Sequence, residues 1–205
     1  PAFLFVHVTN ITQRVRAETR LQQSEAHFRN LFEDSPAPVW EVDLSAAAEM
    51  FERWRSEGVT DFADFVERSP DQLALAVAAV TVRRINQAAA ATLGVGDAAE
   101  MVRAVAAGRL GDGYRDAIEH HLDAVWHGRT SHDATVHLLD ASGAELYGIM
   151  HLVIPTVDGR PDLATSLVSF TDLTEHRRAQ DSLRRVEQRL RTVMAGAPIV
   201  VFAVD

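Results

Sequence analysis

Side chains able to bind a ligand concentrate on one predicted helix, residues 112–127. One face of this helix carries, at 3.6-residue spacing, Tyr114, Ala117, Ile118, His121, Leu122 and Val125. His121 lies at the centre of that stripe, whereas His120 points away from it, and an imidazole titrates near neutral pH. Two interpretations stay open: a neutral core histidine with both nitrogens hydrogen-bonded, or a group that reads the polar edge of a ligand.

The other candidate chemistries find no support in the residue types. His127, His132, His137 and His151 are numerous, but their spacing matches no metal-ligand signature, so we predict no metal site. The chain contains no Cys, which removes thiolate nucleophiles, disulfides and cysteine zinc sites. It contains no Lys either, which removes Walker-type phosphate loops and pyridoxal Schiff bases. No Gly-x-Ser-x-Gly or His-Glu-x-x-His motif is present. We predict no catalytic residues and no enzymatic activity in this chain.

The elements that must position His121 form an α+β pattern. Strands are predicted at 39–43 and 81–85, and three more at about 133–139, 146–154 and 163–171 follow the His121 helix. Asp140 to Gly143 and Asp158-Gly159 supply turns between the last three. The inner faces of these strands carry Met150, Leu152, Val168 and Phe170.

A helical segment at 45–79 separates the first two strands. Ala47, Met50, Phe51 and Trp54 follow helical spacing, and Gly58 ends that helix. Ser69-Pro-Asp-Gln72 reads as a capping box with proline at the first helical position. The segment either covers a sheet face or rim, or serves as a dimer contact or pocket lid.

The two ends of the chain repeat each other in register without a gap. Residues 5–43 match residues 167–205, with Thr12/Thr174, Pro36/Pro198 and Asp43/Asp205 among the identical pairs. Each copy reads as strand, polar stop, charged helix, then a new strand. A repeat of this length spans a whole domain, so it indicates tandem domains rather than a solenoid.

The junction residues resemble those that join tandem PAS (Per-Arnt-Sim) sensor domains in bacterial signalling proteins. The Asp-Ile-Thr-Glu-Arg-like motif that closes such domains stands here as Asp172-Leu-Thr-Glu-His176. Ser24-Glu25-Ala-His-Phe28-Arg29, then Ser35-Pro36 and Trp40-Glu-Val-Asp43, complete the set. The resemblance implies a PAS fold: a five-stranded antiparallel sheet with helices on one face, the insert at 45–79, and flanking signalling helices. It also implies that Asp172, Thr174 and Glu175 relay the signal out of the domain.

The implied domain organisation has five parts. Residues 1–12 are the last strand of a preceding PAS domain, 13–34 a linker helix, 35–174 the PAS domain, 175–196 a second linker helix, and 197–205 the first strand of a following PAS domain.

In the PAS family a ligand lies between the sheet and the helix that precedes the last three strands. The resemblance therefore implies a pocket for a small, largely apolar ligand lined by Tyr114, Ile118, His121, Val125, Met150, Leu152, Val168 and Phe170. The cofactor is unknown. Haem PAS domains carry their iron ligand in a His-Asp-x-Tyr-like context, and Gly111-Asp112-Gly113-Tyr114 has glycine in that place, so haem is not expected. The lack of cysteine excludes flavin–cysteine photochemistry.

The linker helices carry apolar residues at alternating spacings of four and three, as coiled-coil a and d positions do. In the first linker these residues are Ala17, Leu21, Phe28 and Leu31, and Ser24 occupies the position between Leu21 and Phe28. In the second linker they are Ala179, Leu183, Val186, Leu190 and Val193. Packing on the chain's own domain is one interpretation; a parallel homodimer seam, as in the PAS family, is the one we prefer.

Composition limits the remaining partners. A net charge of −9 and a pI near 5.4 oppose binding to a nucleic-acid backbone, which needs clustered cations. The longest apolar run, residues 73–82, is too short to cross a bilayer, so we expect no membrane span here and a cytoplasmic location.

The resemblance implies a sensory module that detects a small molecule and signals through dimeric linker helices to adjacent PAS and output domains. The parent protein would be a sensor histidine kinase or a diguanylate cyclase. The alternative is a ligand-free PAS module for dimerisation and relay.

Overall fold

The computed structural model describes residues 12–196, with the side chains at 12–14, 17, 18, 21, 25 and 193–196 outside the description. The flanking strands predicted at the two chain ends, and the two PAS neighbours they imply, lie outside it. The helices are α1 (Thr12–Glu33), α2 (Ser45–Ser56), α3 (Phe62–Arg68), α4 (Pro70–Ala79), α5 (Gln87–Leu93), α6 (Ala98–Ala106), α7 (Asp112–Trp126) and α8 (Thr174–Gly196). The strands are β1 (Val39–Asp43), β2 (Thr81–Ile85), β3 (Ser131–Leu139), β4 (Glu145–Val153), β5 (Thr156–Val157), β6 (Arg160–Pro161) and β7 (Ser166–Asp172).

Five strands form one antiparallel sheet in the order β2-β1-β7-β4-β3. Burial alternates along β3, β4 and β7, so every second side chain of these strands faces the helices. Trp40, Met150, Leu152, Val168 and Phe170 all lie on this buried inner face. The predicted α+β class and five-stranded antiparallel sheet are confirmed.

Local signals explain where several of the helices begin. Asn86 caps α5 by accepting a hydrogen bond from the backbone N–H of Ala89, and Asp97 caps α6 by accepting one from that of Glu100. Proline opens α4 as predicted, but the Ser69 side chain makes no capping hydrogen bond. Its carbonyl accepts from the N–H of Gln72 instead, so the predicted capping box is present in sequence and not in geometry.

The insert folds as α2, α3 and α4 and contributes an aromatic cluster to the hydrophobic core. Phe51 packs edge to face on Phe62 and Trp126, with ring centroids 5.5 and 5.6 Å apart, and Trp54 closes the cluster. Such pairs contribute about 0.5–1.5 kcal/mol beyond the area they bury. Because Trp126 is the last residue of α7, this cluster fastens the insert to the helix that carries His121.

The two long helices, α1 and α8, extend from opposite ends of the domain sequence with mostly exposed side chains. Among the described residues, no helix has both the length and the hydropathy needed to cross a membrane.

Candidate functional site

A cavity of about 480 Å³ lies between the inner face of the sheet and helices α4, α6 and α7. Pockets that hold small molecules usually span about 300–1,000 Å³ and are mainly apolar. Its lining is mainly aliphatic and consists of Trp40, Val42, Leu44, Ala74, Val77, Ala78, Val80, Val82, Val102, Val105, Ala106, Gly108, Leu110, Gly111, Asp112, Tyr114, Arg115, Ile118, His121, Leu122, Met150, Leu152 and Val168.

Most of the predicted pocket residues lie on this lining, and two do not. The lining includes Tyr114, Ile118, His121, Met150, Leu152 and Val168. Val125 lies near the far end of α7, beyond the cavity. Phe170 is buried on the inner face but outside the lining, because its ring occupies the space over Gly148, where a Cβ would lie 2.5 Å from it.

The insert contributes a wall that sequence reasoning missed. Ala74, Val77 and Ala78 of α4 line the cavity, and Val102 and Val105 of α6 complete that side. The run at 73–82 is almost continuously apolar, so its sequence does not show which face turns inward. The location of α4 therefore shows one role of the insert: α4 forms a wall of the cavity.

His121 is the polar group with the least satisfied surroundings at this site. It is 5% exposed, and its Nδ1 lies 3.1 Å from Nδ1 of His132 on β3. Its Nε2 is buried and has no hydrogen-bond partner among the described residues. Burial, reinforced by the neighbouring His132, lowers the pKa of His121 to about 4, so the ring is neutral near pH 7. Among the described residues, Nδ1 of His121 has a hydrogen-bond partner and Nε2 has none.

Tyr114 is the second buried polar group on the lining. Burial raises the pKa of its phenol well above the ordinary value, with a smaller opposing effect from a hydrogen bond to the Trp40 side chain. The phenol therefore remains protonated. Tyr114 and His121 together give the cavity two neutral hydrogen-bonding groups.

Charged residues occur only at the mouth of the cavity. Asp112 and Arg115 are both exposed, and Arg115 makes no ion pair with any residue that the structure describes. Gly111 precedes them with a φ of +77°, a left-handed conformation that favours glycine. This backbone geometry gives a structural reason for glycine at position 111.

The exit of the domain is held by hydrogen bonds between α8 and β4. Thr174 Oγ1 accepts from the N–H of Tyr147 at 2.9 Å, and Asp172 accepts from the N–H of Thr174 at 2.8 Å. Arg177 stacks over the Tyr147 ring at 4.0 Å. Thr174 is the first residue of α8, and its hydroxyl bonds to β4 rather than to the first turn of that helix. Glu175 is exposed and lies 3.9 Å from Arg178.

The entrance is held by Asn86, which is fully buried. Its amide donates to the carbonyls of Phe32 and Ala37, at 3.1 and 2.8 Å, and contacts that of Ser35. Its side-chain oxygen accepts from the N–H of Val39. One side chain thereby joins the end of α1, the start of β1 and the cap of α5. An Asn before a helix is a capping signal in the sequence, but the contacts of Asn86 with α1 and β1 depend on the tertiary fold.

The described apolar positions of the linker helices are open to solvent in the single chain. Phe28, Leu31, Leu183, Val186 and Leu190 are all more than half exposed. The side chains of Ala17, Leu21 and Val193 lie outside the description, so the predicted seam is traced only in part.

No group of three or more potential metal ligands occurs among the residues that the structure describes. His151 contacts Asp133, but this pair lies on the outer face of the sheet, away from the cavity.

Comparison with known proteins yields structural neighbours. No protein-family model and no curated protein matches the sequence. The PAS domain of an HTR-like protein from Haloarcula marismortui is similar over 77% of this chain and 98% of its own, at 15% identity and a TM-score of 0.43. A domain of a sensory box sensor histidine kinase/response regulator from Geobacter sulfurreducens is similar over 74% and 96%, at 14% identity and 0.41. A sensory box histidine kinase/response regulator from Burkholderia thailandensis is similar over 80% and 98%, at 13% identity and 0.44.

The first of these neighbours is a PAS domain, and the other two belong to sensory box histidine kinase/response regulator proteins. All three TM-scores are below one half, so the fold assignment rests on the sheet itself. Strands β1 and β2 flank the insert, helices α5 to α7 follow, and β3, β4 and β7 complete one antiparallel sheet. This arrangement gives the described residues the PAS fold.

Proposed function

We propose that this PAS domain is the sensory module of a larger cytoplasmic signalling protein and is not itself catalytic. It binds a small, largely apolar molecule between sheet and helices. The conformational change that follows ligand binding is passed through dimeric linker helices to neighbouring PAS and output domains. These domains belong to a sensor histidine kinase or a diguanylate cyclase. The observation that carries the proposal is the cavity of about 480 Å³, with its aliphatic lining and two neutral polar groups.

The route from cavity to linker is short. Met150 and Leu152 line the cavity from β4, and Tyr147 on the same strand bonds Thr174 at the start of α8. A ligand that displaces β4 would thus act directly on the helix that leaves the domain. On the entrance side, Trp40 and Val42 line the cavity from β1, whose first residue, Val39, is bonded to Asn86.

The decisive variant is Leu152→Trp, because Leu152 is 1% exposed and borders the cavity. The indole should occupy the cavity, leave the fold intact and abolish the increase in melting temperature that a pool of small apolar metabolites gives the wild type. Leu138→Trp is the matched control: Leu138 is equally buried on β3 but outside the lining, so overpacking should cost about 1–3 kcal/mol. Two equally destabilised variants, with no ligand shift in the wild type, would refute the binding function.

A second function, ligand-free dimerisation and relay, is favoured by one observation. The hydrogen bonds at both junctions involve Asn86, Thr174 and Tyr147, none of which lines the cavity. Native mass spectrometry of the purified chain distinguishes the two functions, since only a sensor should carry a co-purifying small molecule.

A further inference from the structure

The imidazoles of His121 and His132 are bonded to each other through like nitrogens. The two Nδ1 atoms lie 3.1 Å apart, and the rings are nearly perpendicular, at 87°. Between two neutral imidazoles, one Nδ1 must carry the proton while the other offers its lone pair. The pair therefore has two arrangements, and each one fixes the position of the proton on both rings.

The arrangement decides what the free nitrogen of His121 can do. If His132 donates, the single proton of neutral His121 must sit on Nε2, which is then a donor. If His121 donates, its Nε2 is an acceptor. This Nε2 is buried and has no partner in the part of the chain that the structure describes, and the ring borders the cavity. A polar group of a ligand that reaches Nε2 would remove the free-energy cost of leaving it unpaired.

If Nδ1 of His132 donates the hydrogen bond to His121, this bond persists when the His132 ring takes up a second proton. His132 is half-buried and has Asp123, Asp133, His120 and Arg129 as its charged or titratable neighbours. Its Nδ1 carries a proton in the donating tautomer and keeps it when Nε2 also becomes protonated. The reverse arrangement needs a lone pair on Nδ1 of His132, which protonation removes.

We propose that His132 sets the ligand specificity of the cavity by holding His121 as the Nε2–H tautomer, so that the cavity selects a neutral, largely apolar ligand with a carbonyl oxygen. This inference rests on the proposed ligand-binding function. A neutral imidazole donor offers a carboxylate no ionic attraction, and the charged lining residues stay at the exposed mouth. His132 is a positioning residue: it acts through His121 and shapes the site from β3, where it pairs in register with the lining residue Leu152.

The test uses two probes of equal shape, methyl octyl ketone and its methylidene analogue, in which a CH₂ group replaces the oxygen. Nitrogen-15 spectra of the histidine-labelled chain report the tautomer of His121, and the Met150 methyl signal reports occupancy of the cavity. We expect Nε2–H on His121 in the wild type, binding of both probes, and an affinity about three- to tenfold higher for the ketone. Only the ketone should shift the Nε2 resonance.

His132→Leu keeps an apolar body on β3 and removes the donor, so His121 can take either tautomer and the ketone's advantage over the methylidene analogue should shrink. His120→Leu, on the exposed side of α7, should keep the full preference for the ketone. Equal affinities for the two probes in the wild type, or a proton on Nδ1 of His121, would overturn the inference and leave the sensor function standing. Retention of the full preference in His132→Leu would overturn it too. Binding of neither probe would contradict both proposals.

Discussion

At the scale of single residues, His121 makes the free energy of unfolding depend on pH. The unfolded chain takes up a proton on this ring near pH 6.5, whereas the folded chain does so only near pH 4. Between these values the unfolded state binds more protons, so stability is full above about pH 6.5 and falls as the pH decreases towards 4. His132, whose pKa is also lowered by burial, acts in the same direction.

The expected loss approaches about 3 kcal/mol at the low end of that window. Urea unfolding at about pH 7.5 and about pH 4.5 measures it. His121→Phe should remove most of the pH dependence, whereas His120→Phe, on the exposed face, should keep it. The carboxyls of Asp43 and Asp140 have lowered pKa values, so their contributions are lost only below the window. A wild type with equal stability at both pH values would contradict the assigned burial of His121.

At the scale of elements, the attachment of α8 to β4 depends on the Thr174 hydroxyl. Thr174→Val has nearly the same shape but leaves the N–H of Tyr147 without its acceptor, at a cost of about 1 kcal/mol. Amide hydrogen exchange at Tyr147 should accelerate, and in the full-length protein output should change more than ligand affinity. Thr174→Ser retains the hydroxyl and should behave as the wild type. Equal exchange at Tyr147 in the two variants would show that the hydroxyl does not hold this junction.

The elements themselves were largely predictable, while their contacts were not. The strand predicted at 81–85 matches β2 to the residue, and the turn at Asp158-Gly159 joins β5 to β6 with both residues at positive φ. Hydrophobic periodicity and turn residues act over a few neighbouring positions, so they can be recognised in the sequence alone. The partner of His121 lies on another element, and the inward face of α4 is hidden in a uniformly apolar run. The partner of His121 and the inward face of α4 depend on which elements pack together. The local sequence pattern of a single chain does not specify this packing.

At the scale of the whole molecule, we expect a homodimer joined along the linker helices. Leu183→Glu combined with Leu190→Glu places charges in the proposed seam and should give monomers. Gln188→Glu with Thr192→Glu adds the same charge to α8 away from the seam and should leave the dimer intact. Light scattering at tens of micromolar distinguishes them, and a monomeric wild type at that concentration would rule out the dimer.

The division of the core into an aromatic cluster and a separate cavity has a spectroscopic consequence. Of the three tryptophans, Trp54 and Trp126 belong to the cluster around Phe51, and Trp40 alone borders the cavity. With the two cluster tryptophans replaced by phenylalanine, the chain has a single indole, and that indole borders the cavity. The intensity and wavelength of its fluorescence would then report occupancy directly, without a label and in the intact protein.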